Sequence, residues 1–102
     1  MTTNAECTII RMNDSGSHYI VGTHDCMWQD SEAYEVKKYG AENADKANVY
    51  IPDITADVQK EDYIVRGKLT EVPDTSGLLT VMSVSKCDYG SPDMWHVHIG
   101  AR

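Results

Sequence analysis

The strongest constraint on the fold is a two-residue alternation near the C-terminal end of the chain. Residues 79–87 alternate polar and apolar side chains from Thr80 onward, and Val81, Met82 and Val84 supply strand-favouring bulk. The run stops at a turn cluster, Asp88-Tyr89-Gly90-Ser91-Pro92. After it, Met94, Trp95, Val97 and Ile99 interleave with His96, His98 and Gly100, which puts Trp95, Val97 and Ile99 on one face. Successive Cβ atoms of a strand point to opposite sides of a sheet, so a period of two is a strand period. Two such runs flanking a Gly/Pro turn predict a hairpin-like ending.

The preceding chain follows the same pattern. Residues 7–12 form a short apolar run closed by Asn13-Asp14-Ser15-Gly16-Ser17, a turn by composition. Residues 18–28 resume as a strand, with Gly22 a candidate bulge and Trp28 a candidate core side chain. Residues 34–39 read as a strand or a short helix, and 40–46 as a loop or a single helical turn. Residues 47–51 are a strand stopped by Pro52, which has no N–H to give to a ladder. The acidic stretch 53–62 is expected to be a surface connection, with a helical turn around Ile54 and Val58 as its other form. Residues 63–69 read as a strand and 71–77 as a loop punctuated by Pro73 and Gly77, where Asp74 is able to bond local backbone. About seven short strands separated by turn clusters, with no sustained helical period, predict an all-β fold. The expected form is one domain over residues 1–102, a small barrel or sandwich of antiparallel strands with long loops.

Charge narrows the function. The formal net charge is -7, and the nine Lys and Arg residues are scattered, whereas a phosphate-binding face needs them clustered. The excess is uneven: residues 1–62 hold 12 acids against 5 bases, and residues 63–102 hold 4 of each. Cys7, Cys26 and Cys87 are an odd number at wide spacing, with no C-x-x-C pair and no basic or apolar leader. They are read as reduced thiols of a soluble, intracellular protein. No window approaches the roughly 18 apolar residues of a membrane span.

Three constellations could carry chemistry. His96 and His98 share a strand face and could bind a metal if folding brought a third ligand such as His24, Asp25 or Cys26 to them. Cys26 beside His24 and Asp25 suggests a thiol nucleophile, but neighbours on a strand point to opposite faces, so Cys26 reads instead as a small core residue beside Trp28. Asp53, Asp57, Glu61 and Asp62 lack the ligand order and central glycine of a calcium loop. None of these supplies a catalytic signature, and neither catalysis nor a cofactor is expected.

Three segments taken together resemble a known family. They are Val49-Tyr50-Ile51-Pro52, then Asp62-Tyr63-Ile64-Val65-Arg66-Gly67, then Tyr89-Gly90-Ser91-Pro92 with Met94, His96 and a late glycine. In this order they resemble small head-tail connector proteins, of the head-completion or stopper type, of long-tailed phages of Gram-positive bacteria. The chain departs from that pattern at Glu61, where a glycine is usual, and at Trp95, which precedes His96 instead of following it. The resemblance implies a β-barrel subunit of a homo-oligomeric ring of six or twelve copies in the virion neck, assembled in the host cytoplasm. Such a ring joins portal and adaptor proteins to the tail and retains packaged DNA, which passes through without sequence-specific binding; no membrane is involved. Alternatives are a tail-terminator or minor capsid subunit, or a small metal-binding domain using His96 and His98. Tyr89, Pro92, Met94 and Trp95 are the expected interface residues, with core packing as the competing assignment. Asp53, Asp57, Glu61, Asp62 and Asp74 are the candidates for a DNA-repelling channel loop.

Overall fold

The computed structural model describes residues 2–30, 46–74 and 78–102. Among them six strands close into a barrel: β1 (Ala5–Met12), β2 (His18–Asp30), β3 (Ala47–Ile51), β4 (Tyr63–Arg66), β5 (Leu79–Cys87) and β6 (His96–Ala101). Their circular order is β1-β2-β3-β6-β5-β4, and every neighbouring pair is antiparallel. The expected all-β fold is therefore found, as a barrel. The strand or helix expected at 34–39 lies outside the described residues, as does most of the loop expected at 40–46.

Closure depends on two long strands that each serve two partners. β2 pairs with β1 through its first nine residues and with β3 through Met27–Asp30. β5 meets β4 only at Leu79 and Thr80, and runs beside β6 from Val81 onward. Because strand directions alternate around the ring, the connections 13–17, 52–62 and 88–95 all leave from one end, called here the loop end. Residues 67–74 and both described chain ends lie at the other, while 75–77 of the loop expected at 71–77 fall outside the described residues.

Two register shifts reconcile the sequence with the barrel interior. Ile9 faces Gly22 and Ile10 faces Ile20, so Val21 is the extra residue of a bulge beside the glycine that marked it. In β5, Val81 and Val84 are three residues apart and would point to opposite faces of a regular strand. Met82 is the extra residue between Val81, opposite Ala101, and Ser83, opposite Gly100. This second bulge turns Val84 back toward the core, where it packs, and leaves Met82 exposed. The plain alternation read for 79–87 is corrected accordingly.

The core collects Cys7, Ile9, Cys26, Trp28, Val49, Ile51, Ile64, Val81, Val97 and Ile99 from all six strands. Each fully buried Val or Ile contributes about 1.5–3 kcal/mol relative to exposure. β1 is covered on both faces, because Thr8 and Ile10 on its outer side are as buried as Cys7 and Ile9. Thr8 Oγ1 donates to the Gly67 carbonyl at 2.7 Å and accepts from the Leu69 N–H at 3.1 Å, so the chain leaving β4 is fastened over it. β4 ends at Arg66 instead of reaching Leu69, since Gly67 adopts φ +112 and directs the chain out of the sheet. Asn4 continues the β1–β2 pairing beyond the last strand residue: its amide accepts from Trp28 N–H at 2.8 Å and donates to Trp28 O at 3.1 Å.

Candidate functional site

The segment 52–62 reads as an acidic surface connection, but part of it is core. Ala56 and Val58 join the buried cluster, and Asp62 is only 3% exposed. The segment forms turns without a helix, crossing from the end of β3 to the start of β4. Glu61 N–H donates to Val81 O at 2.8 Å and Val81 N–H to Asp62 O at 2.7 Å, so β5 holds its last residues by backbone. The side-chain clamp is Arg11, at the loop end of β1. Its Nε and Nη2 each donate at 2.9 Å to the two oxygens of Asp62, and Nη1 and Nη2 each donate at 3.1 Å to those of Asp57. One planar guanidinium thus holds both turns of the segment over the barrel mouth.

Electrostatics follow from this geometry. The Arg11 hydrogen bonds hold the Asp57 carboxyl below the usual carboxylate range, and Lys86 adds a smaller pull in the same direction. Asp53 is also lowered, chiefly by the Thr55 hydroxyl, which donates to Oδ1 at 2.6 Å, and then by the Thr55 N–H at 2.9 Å. The guanidinium of Arg11 is pushed further up by Asp62 and then Asp57. Of the five channel-loop candidates, the segment brings together Asp53, Asp57, Glu61 and Asp62. Asp62 is committed to Arg11, while Asp74 lies in the connection at the opposite end of the barrel. Glu61 is the one described non-glycine residue at positive φ, +76. A shallow open pocket of about 210 Å³ beside it is lined by Arg11, Met12, Gln59, Lys60, Glu61 and Asp62.

The connection 88–95 is organised by its own backbone. Pro92–Met94 form a single 3-10 turn, with Met94 N–H donating to Ser91 O at 2.9 Å and Trp95 N–H to Pro92 O at 3.1 Å. Gly90 takes φ +80, and the Trp95 indole N–H reaches back to its carbonyl at 3.3 Å. Trp95 is half-buried and lies before β6, not within it. Tyr89 and Met94 point outward, at 76% and 64% exposure, and Pro92 is exposed as well. Core packing therefore does not account for Tyr89, Pro92 or Met94.

His96 and His98 share the outer face of β6, beside Tyr50 of β3. Tyr50 stacks on His98 at 4.6 Å between ring centroids with planes 5° apart, and His96 lies tilted at 5.8 Å. His96 Nδ1 donates to Met94 O at 3.0 Å, and His98 Nε2 lies 3.2 Å from Asn48 Oδ1. Among the described residues no three His, Cys, Asp or Glu side chains gather where they could hold a metal. The third ligand sought from His24, Asp25 or Cys26 is thus not brought to the histidines. Cys26 is a free thiol buried in the core with Trp28, and hydrogen bonding to it, followed by burial, pushes the free Cys7 thiol up. The sequence reading missed Arg11. The available signal was a single cation at the end of an apolar strand, in a half of the chain with a large excess of acid.

The profile of a family of unknown function, DUF6751, matches residues 1–102. The chain belongs to DUF6751. The match runs over all of the barrel, the Arg11 clamp and the 88–95 connection of this DUF6751 member. No curated protein and no solved structure matches the DUF6751 chain. Among its described residues no helix is long and apolar enough to cross a membrane.

Proposed function

We propose that this chain is a non-enzymatic structural subunit of a phage neck, a head-completion or stopper ring element joining portal and adaptor proteins to the tail. The observation that carries the reading is the 88–95 connection. Its backbone is held by its own hydrogen bonds while Tyr89, Pro92 and Met94 face solvent, the arrangement of a preformed contact element. This is also the stretch that carries the Tyr-Gly-Ser-Pro signature of the resemblance. Glu61 supports it independently: it stands at φ +76, a conformation suited to glycine, at the position where the resembled pattern carries glycine.

In such a ring the exposed carboxylates at the loop end, Asp53, Asp57 and Glu61, would face the DNA path and repel phosphate, letting the duplex slide. Asp62 is excluded from that task by burial: Arg11 binds both carboxylates, but Asp57 stays exposed while Asp62 is 3% exposed. The test is imaging of intact particles at side-chain resolution. Density for this barrel as a closed ring at the head–tail junction is the expected result. Its absence from purified particles would overturn the proposal. If the ring is present, charge-neutralising Asp53, Asp57 and Glu61 should slow DNA ejection, and unchanged retention and ejection would remove the channel assignment alone.

A further inference from the structure

We propose that the loop end of the barrel docks a cationic protein surface, with Tyr89 and Met94 as apolar anchors and the surrounding carboxylates as its charge complement. Six large apolar side chains are exposed among the described residues, and four of them, Met12, Tyr19, Tyr89 and Met94, lie in or beside the loop-end connections. Exposed apolar side chains grouped at one end and rimmed by polar residues mark an interaction surface. Tyrosine and methionine are also the residue types enriched at interface centres, because they offer large contact area, and tyrosine keeps a polar tip.

Charge selects the occupant. The three loop-end connections hold seven acidic residues and one base, Lys60, and the adjoining strand ends add Arg11 and Lys86. The described loop end therefore carries a net formal charge of about -4. Asp88 and Asp93 flank the two anchors directly. A second copy presenting the same end would meet like charge, and DNA or an anionic lipid surface would be repelled. A basic protein surface is attracted, and arginine suits it best. Its guanidinium pairs with carboxylates through two bonds and stacks on a tyrosine face. The inference goes beyond the neck reading, since it rests on the exposed surface alone.

The test uses the isotope-labelled full chain and two synthetic peptides of equal positive charge, one of arginine and leucine, the other with glycine and serine in place of leucine. Resonance shifts on adding the Arg/Leu peptide should be confined to residues 13–17, 52–62 and 88–95 and should weaken as salt is raised. Tyr89→Ser with Met94→Ser should weaken binding at least tenfold without altering the charge, and Asp88→Lys with Asp93→Lys should do the same and flatten the salt dependence. Val72→Ser, at the opposite end, should leave binding unchanged and serves as the folded control. Equal binding of both peptides, shifts centred elsewhere, or shifts of the same residues on concentrating the protein alone or on adding a short DNA duplex would each overturn the proposal.

Discussion

Arg11 shows most directly how one residue organises this barrel. Its partners sit 46 and 51 positions away, so nothing in its neighbourhood announces them. Replacing it with Met leaves Asp62 buried with only the Gln59 N–H as a described partner, and the expected loss is about 2–4 kcal/mol in denaturant unfolding. Asp57→Asn should cost much less, because that carboxylate is solvated. The sign with pH follows from the lowered Asp57. Its stabilisation is present above the ordinary carboxylate pKa near ~4 and disappears as pH falls through the lowered folded value. The Tm difference between the native chain and Asp57→Asn should therefore close on acidification below that range. Glu61 makes the opposite prediction. Relief of its positive φ, less the extra unfolded-state freedom of glycine, should let Glu61→Gly stabilise by about 0.5–1 kcal/mol in the same assay. The thiols separate by burial: Cys87 should react with an exposed-thiol reagent at once, and Cys7 and Cys26 only in denaturant.

At the scale of elements, the hairpin of β5 and β6 was legible and its register was not. Alternation, strand-favouring residues and a Gly/Pro turn are local signals, and they were enough to predict two strands. The bulge at Met82 depends on which residues of β6 lie opposite, a choice made by packing Val81 and Val84 into the same interior. A deletion pair tests this. Removing Met82 takes out the extra residue and restores a regular ladder with Val84 still inward, so the chain should keep a cooperative thermal transition. Removing the outward-facing His98 from regular β6 turns Ile99 and Ala101 toward solvent and should abolish it. The 52–62 segment taught a related lesson. Its acids suggested a solvated loop, and only the barrel mouth decided that Ala56 and Val58 would close it.

For the whole molecule, the pairings that close the ring join distant segments, β1 with β4 and β3 with β6. Such non-local topology slows folding, and refolding is expected on a millisecond-to-second scale by stopped-flow fluorescence of the two tryptophans. The sequence by itself determined the all-β class, the turns at 13–17 and 88–92, the end of β3 at Pro52 and the burial of Trp28 and Cys26. Each of these follows from a period, a backbone restriction or a side-chain size carried by a few adjacent residues. Tertiary structure alone decided closure of the barrel, the gathering of three connections at one end, and the bond of Arg11 to Asp57 and Asp62. The physical reason is that these depend on the register of strands far apart in the chain, which is selected by filling one common interior.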